Sequence, residues 1–373
     1  GMMLVDFGMP EVASALLATN AGKQPPAEAL SWSLSLILRG MLELSRTDQI
    51  EAARRTFTES QKLLTLAEEP RFANLHPRPA QVYALLADLE TRRGFVDRAL
   101  PLMQQAVDRL PTAAALLRLA RLQSQQGAKG EAIASQRRGV LLAEKDGDVL
   151  TEAQIQEELA RELAASGKAR GAAEALQTAL ERTLTARAMD LSTVSEAAVE
   201  RQLARLLEYY KQDRAVRGAY ERALAASRKS PVQLEVTLTD MARSALTRGD
   251  LRLGRRATRT ALDMDLPAED LIYIALWQKL LEKRTVSPAD GLSHQVLNAA
   301  DKAKGWLGTL RDFALGRLSP EELQARANTI VEKTEANFYL ALLTTDPTVQ
   351  KEELSKVARS SAVDLVEVRI ARD

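Results

Sequence analysis

Four arginines recur at one place in a short repeated phrase: Leu119-Ala120-Arg121, Leu159-Ala160-Arg161, Leu203-Ala204-Arg205 and Met241-Ala242-Arg243. A guanidinium is a planar, permanently charged fork that meets a carboxylate through two parallel hydrogen bonds. Repeated once per structural unit, such groups form a ladder suited to the carboxylates of an extended acidic segment. The alternative is that each arginine pairs with a Glu or Asp of a neighbouring helix. The sequence leaves both readings open. Asp88 holds the corresponding place one unit earlier, and Gln125, Arg201 and Tyr209 fall on adjoining positions of the same face, with Gln81, Arg92 and Glu157 beside them. These residues are the candidate partner-binding set.

Other chemistry is thinly represented. The chain of 373 residues has no Cys and only two His, His76 and His294, which excludes thiolate metal sites and cysteine nucleophiles and leaves no basis for a His-built metal cage or triad. The carboxylate doublets Glu157-Glu158 and Glu321-Glu322 read as helix positions about 100° apart, which cannot converge on one substrate atom. No glycine-rich phosphate loop occurs. With 51 Lys+Arg against 50 Asp+Glu the net charge is +1, and the basic doublets Arg137-Arg138 and Arg255-Arg256 are too small for a nucleic-acid footprint. Tyr209-Tyr210 and Trp277 are available as aromatic anchors for a partner, or as fillers between helices; Trp306, flanked by Gly305 and Gly308, reads as core. No catalytic residue, metal or cofactor is expected.

The elements that must hold these residues are helices. No Pro lies between Pro111 and Pro231, and that stretch is crowded with Ala, Leu, Arg, Glu and Gln whose apolar members recur every three or four residues. The one candidate strand, 364–370, reads equally as the end of a helix. Tyr83, Leu86, Ala87, Gly94, Ala99, Met103, Ala106 and Pro111 reproduce the tetratricopeptide pattern of two helices with small residues at the close-approach points and a turn glycine between them. The frame recurs at Leu119-Ala120 with Gly127 and Ala132, and at Leu159-Ala160 with Gly167 and Ala172. It continues at Leu203-Ala204 with Tyr220 and Ala223, and at Met241-Ala242 with Gly249 and Gly254. Upstream, Ala53, Phe57 and Ser60 match the second helix of an earlier unit. The fold class expected is all-α: an α-solenoid of TPR-like helical hairpins forming a right-handed superhelix with a concave groove.

Residues 1–26 read as an N-terminal segment opening on Gly1-Met2-Met3, with Gly1 ahead of a natural start. A degenerate hairpin is expected over 27–67, a proline-rich link over 68–79, the main array over 80–266 and a C-terminal helical region over 267–373, all one continuous solenoid. Within the last of these, Tyr273, Ala275, Leu276, Trp277, Gly305-Trp306-Leu307, Phe313, Leu315-Gly316, Ser319, Glu321-Glu322-Leu323, Glu335-Ala336-Asn337-Phe338-Tyr339-Leu340 and Val366-Glu367 fall in an order that resembles the C-terminal region of bacterial tetratricopeptide proteins of the NlpI type. The resemblance implies a bacterial, envelope-associated scaffold that holds other proteins together. The chain departs from it in lacking a lipid-carrying Cys and in having Thr344-Thr345-Asp346-Pro347 where a turn glycine is usual. The function expected is a non-enzymatic adaptor whose groove takes a protein or peptide partner, acidic on the ladder reading. The alternative is an assembly subunit of an envelope or polysaccharide-export complex that self-associates as a homo-oligomer or works through its convex face. No nucleic acid and no membrane insertion are expected. The chain reads as cytoplasmic as it stands, and as periplasmic if a signal segment has been removed.

Overall fold

A computed structural model of the chain describes residues 36, 39–40, 52–59, 77–189, 193–264, 266, 268–284, 291–344, 346–362 and 365–372. Among the described residues seventeen helices lie between 77 and 372, a short helical stretch lies at 52–59, and there is no strand. The expected N-terminal segment, most of the expected first hairpin, most of the proline-rich link and His76 lie outside them. The chain divides into two compact units, residues 1–175 and 176–373.

In the first unit, α1 (Pro77–Arg92) pairs with α2 (Val96–Arg109) and α3 (Ala113–Gln125) with α4 (Lys129–Asp146); α5 (Val149–Ala165) follows against α4. Helix α2 stops where Pro111 forbids helical geometry to the residue before it: Leu110 is extended, at φ −145°. The Thr112 hydroxyl then accepts from the Ala115 N–H and starts α3, and the Asp148 carboxylate starts α5 in the same way through the Thr151 N–H. Ala87, Ala99, Ala120 and Ala132 are fully buried, as the frame requires of residues where two helix backbones approach. Phe57 and Ala53, in the short helical stretch 52–59, pack with Val82, Leu86 and Leu89 of α1. Much of the unequal repeat spacing is absorbed by the second helices: α4 has 18 residues where α2 has 14.

The helix α6 (Ala169–Ala188) contains the division between units. The second unit then continues with α7 (Thr193–Tyr209) on α8 (Asp213–Ser227) and α9 (Pro231–Arg248) on α10 (Leu251–Asp263). Tyr220, Leu238 and Met241 are among its largest fully buried side chains. The remaining helices are α11 (Ala268–Arg284), α12 (Leu292–Ala299), α13 (Gly305–Ala314), α14 (Pro320–Arg326), α15 (Ile330–Leu343), α16 (Pro347–Ala358) and α17 (Val366–Arg372). The segment weighed as a strand is therefore helical over 366–372. Capping boxes at Ser319 with Glu322 and at Thr329 with Glu332 begin α14 and α15. Asp346, in the place where the resemblance expects a glycine turn, caps α16 by accepting from the Thr348 and Val349 N–H groups.

Between the helices of each hairpin the chain passes through the left-handed region. Gly94, Gly127, Gly167 and Gly249 do so at φ +70° to +82°. At the same place between α7 and α8 stands Lys211, at φ +54°, among the described residues the one non-glycine with positive φ. The sequence frame has no glycine there, yet the turn forms as in the other units. A side chain in this conformation costs about 1 kcal/mol, part of which glycine returns through its freer unfolded chain. Lys211→Gly is expected to raise the unfolding free energy by about 0.5 kcal/mol, read as a higher melting temperature by circular dichroism. A fall would show that the Lys211 side chain carries packing the turn needs.

The residues behind the C-terminal resemblance form a buried polar cluster. Tyr273 Oη donates to Glu335 Oε1 at 2.7 Å and Trp306 Nε1 to Glu335 Oε2 at 2.6 Å. Tyr339 Oη donates to Glu367 Oε1 at 2.8 Å and Trp277 Nε1 to the same oxygen at 3.3 Å. Two carboxyls on α15 and α17 thus tie together α11, α13, α15 and α17. Burial, then the Glu367 charge, push the Glu335 carboxyl up to about 8, and burial raises Glu367 as well. Trp277 is a core residue with a polar task; it is not exposed as a partner anchor.

Candidate functional site

The repeated phrase has a simple helical logic. In Leu119-Ala120-Arg121 the first two residues are buried, and the third, turned a further 100° round the helix, leaves the core. The same holds for Leu159-Ala160, Leu203-Ala204 and Met241-Ala242 ahead of their arginines. Each ladder arginine therefore stands on the first helix of its hairpin, and its surroundings differ between the two units.

In the first unit the ladder is internally matched. Arg121 on α3 reaches Glu158 on α5, with Nη2 to Oε1 at 3.0 Å, and Arg161 reaches the same oxygen at 2.9 Å and Glu157 Oε1 at 3.4 Å. Two guanidiniums meet two adjacent carboxylates. Both arginine side chains are 44% exposed, so each contact is worth at most about 1 kcal/mol in stability. Asp88 accepts from Arg118 at 2.8 Å and is part of the α1–α3 contact. Gln125 is half-buried, and its Oε1 has no hydrogen-bond partner; beside it Ser124 donates to Glu162.

In the second unit three guanidiniums converge on one carboxylate. Arg205 Nη1 lies 3.2 Å from Asp240 Oδ2, Arg243 Nη2 lies 3.5 Å from Asp240 Oδ1, and Arg201 Nε lies 3.7 Å from Oδ2. Arg205 also donates to Gln202. The Arg201 side chain is only 8% exposed and is held by α9: Nη1 donates to Thr237 Oγ1 at 2.9 Å and Nη2 to Gln233 Oε1 at 2.8 Å. Thr237 is itself paired with Ser227 Oγ at 2.8 Å. Arg201 is thus a correction to the candidate set: it positions α7 on α9 and does not reach the surface as a contact. Burial lowers its pKa, with the Asp240 charge opposing that. For Arg243 burial acts the same way, but Asp240, Tyr220 and Glu208 outweigh it and its pKa is raised. Arg205 and Arg243 are 24% and 21% exposed, and Tyr209, four residues beyond Arg205, is 41% exposed.

Asp240, Gln233 and Thr237 were not singled out in the sequence, and Glu158 entered there only as half of a carboxylate doublet. A signal existed: Glu158 follows Arg121 by 37 residues and Asp240 follows Arg205 by 35, about one repeat each. His294 is exposed on α12 and has no part in this arrangement. Among the described residues no group of three His, Cys, Asp or Glu is placed to hold a metal, and no helix is long and apolar enough to cross a membrane.

The hairpins, the small residues at their close approaches and the left-handed turns together define an all-α fold of TPR-like helical hairpins. No protein-family profile and no curated protein matches the chain. Among solved structures it is similar to a putative kinesin light chain of Podosopora anserina with nearly identical TPR-like repeats, at 20% identity and TM-score 0.38 over 56% of this chain and 99% of that one. It is also similar to the Cut9–Hcn1 hetero-tetramer of APC/C, at 16% and 0.44 over 80% of this chain and 47% of that one. A STAND protein of Pyrococcus horikoshii with a tetratricopeptide repeat sensor is similar at 14% and 0.42, over 80% and 44%.

Proposed function

We propose that this chain is a non-enzymatic interaction scaffold that takes an acidic segment of a partner protein on the exposed face of its first helices. The observation that carries the reading is the placement of Arg121 and Arg161 in the first unit, and of Arg205 and Arg243 in the second, at one position of their first helices, with side chains 44%, 44%, 24% and 21% exposed. Charge-assisted pairing of that kind is directional and weakens with salt. The likeness of 273–367 to NlpI-type proteins supports a bacterial, envelope-associated setting for the same role.

Affinity capture from lysate tests this, with the unaltered protein beside a variant carrying Arg121→Ala, Arg161→Ala, Arg205→Ala and Arg243→Ala, both checked for helicity by circular dichroism. The expected result is loss of a captured protein with the variant, and its loss from the unaltered protein at high salt. A capture that ignores both changes removes the acidic-segment reading. If light scattering then finds a homo-oligomer, the assembly-subunit alternative takes its place.

A further inference from the structure

We propose that the edge of the second unit where α7 turns into α8 and α9 into α10 binds a single strand of nucleic acid, holding its phosphates with Lys211, Arg214 and Arg252 and stacking a base on Tyr210. This goes beyond the scaffold reading and uses none of the ladder arginines.

Two ion pairs set the turns side by side. Arg248, at the end of α9, meets Asp213 at the start of α8, and Arg217 Nη1 meets Oδ2 of Asp250, the cap of α10, at 2.8 Å. Residues 208–222 and 247–256 hold eight Lys and Arg against four Asp and Glu. Each of the four carboxylates is engaged. Asp213 has Arg248, and Asp250 has Arg217 and the Leu253 N–H. Glu221 accepts from Nε and Nη2 of Arg256, and Glu208 accepts from the Tyr220 hydroxyl at 3.2 Å. Among the described residues Lys211, Arg214 and Arg252, all exposed, have no carboxylate partner. Beside this edge α11 ends on Glu282, Lys283 and Arg284, and Arg284 donates to the Leu246 carbonyl at 3.1 Å. That turn adds two cations to one anion. Asp263 stands about 16 Å of helix beyond Arg252, Asp265, Glu269 and Asp270 come after it in the sequence, and Asp290 lies outside the described residues.

These three cations are not placed for stability. Arg214 and Arg252 stand second in α8 and α10, where the helix dipole disfavours positive charge. Lys211 takes, at φ +54°, the left-handed turn that Gly249 takes between α9 and α10. Each carries a small cost with no internal ion pair to offset it. Tyr210, 43% exposed, immediately precedes Lys211, and no exposed Leu, Ile, Val, Met or Phe lies in 208–222 or 247–256. A protein partner buries an apolar centre, and an element that lies on a membrane inserts an apolar side. This edge has neither to offer. Cations beside an exposed aromatic ring suit a single strand, whose phosphates take the charge and whose bases stack. The expectation against nucleic acid came from basic doublets taken singly and from a net charge of +1; the two turns gather cations that are far apart along the chain.

The test is fluorescence anisotropy on the full chain with a fluorescein-labelled oligothymidylate of about 15 nucleotides, in salt from about 50 to 200 mM. Companion probes are a labelled polyglutamate of the same length and vesicles of phosphatidylglycerol in phosphatidylcholine. Arg214→Gln with Arg252→Gln, folded by circular dichroism, is expected to weaken the oligonucleotide about tenfold at the lowest salt and to flatten the slope of log affinity against log salt by about 1.4, the share of two phosphates. Tyr210→Ala is expected to weaken it about fivefold. Lys211→Gly is expected to weaken it about threefold while the melting temperature rises, a split that a structural role does not produce. Arg121→Gln with Arg161→Gln, in the first unit, is expected to leave it within about twofold. No binding by the unaltered protein, or an unchanged affinity and salt slope in the Arg214 and Arg252 variant, overturns the proposal. An equal loss from the first-unit pair overturns the placement, and an unchanged affinity in Tyr210→Ala overturns the stacking. Tighter binding of the polyglutamate or of the vesicles overturns the assignment to nucleic acid.

Discussion

Glu367→Ala is expected to lower the unfolding free energy by about 4 kcal/mol, the largest effect of any single change outside the apolar core. The carboxylate is buried and accepts from Tyr339 Oη and Trp277 Nε1, and both donors are buried with it. Alanine leaves two donors with no acceptor and no water, each costing about 1–3 kcal/mol, and adds a cavity at the α17 contact. The check is urea unfolding followed by circular dichroism. A loss below about 1 kcal/mol would mean that α17 does not depend on this anchor. The same cluster sets a pH dependence whose sign follows from its geometry. Glu335 faces the Glu367 charge with Tyr273, Tyr339, Trp277 and Trp306 around the pair, and Glu332 adds a smaller repulsion on Glu335. Because the Glu335 pKa is raised, from 4.5 to about 8, the folded chain holds a proton that the unfolded chain releases. Its contribution is complete below the ordinary carboxyl range and is lost as pH rises through about 8. The slope is about 1.4 kcal/mol per pH unit for each proton so held. Glu335→Gln is expected to flatten the fall in urea midpoint between pH 5 and 8, and an unchanged slope would place the proton elsewhere.

What was legible in the sequence is what each helix says on its own. Ala120 beside Arg121, the glycine of each turn, and Pro111 with Thr112 between hairpins are local signals, and the structure has the helices and turns where those residues require them. Lys211 was illegible because the left-handed turn there is imposed by the packing of α7 on α8, against the preference of the residue. The partners of the arginines were illegible for a different reason. Helix periodicity shows which way Arg205 points but not what the next first helix brings to meet it, and that depends on the offset between repeats. The C-terminal cluster is further still from a local signal: Tyr273 meets Glu335 across 62 residues and Trp277 meets Glu367 across 90. Trp306 reads as core and Trp277 as an anchor or a filler from the sequence, but the acceptors of both are carboxyls that composition alone marks as surface groups.

The second large expected effect falls on Asp240, where stability and binding are pulled in opposite directions. Asp240→Asn keeps the shape of the side chain and removes the charge on which Arg201, Arg205 and Arg243 converge. Arg201 is then left in a buried place with only neutral acceptors, Thr237 and Gln233, and with the Arg205 charge nearby. Breaking a fully buried pair costs about 3–5 kcal/mol; with Asp240 itself part-exposed, a loss of about 2 kcal/mol in urea unfolding is expected. The substitution also removes the internal anion with which a ligand carboxylate must compete for Arg205 and Arg243. If the face between α7 and α9 is a binding site, an acidic peptide should bind the folded variant at least about threefold more tightly, with a steeper salt dependence, although the protein is less stable. If the three arginines are there only to fasten α7 to α9, the variant loses stability and gains no affinity. The two roles that the bare ladder cannot separate are thereby separated by one substitution, since a structural clamp and a ligand-binding cluster both lose stability with Asp240 but only the ligand-binding cluster gains affinity for an external carboxylate.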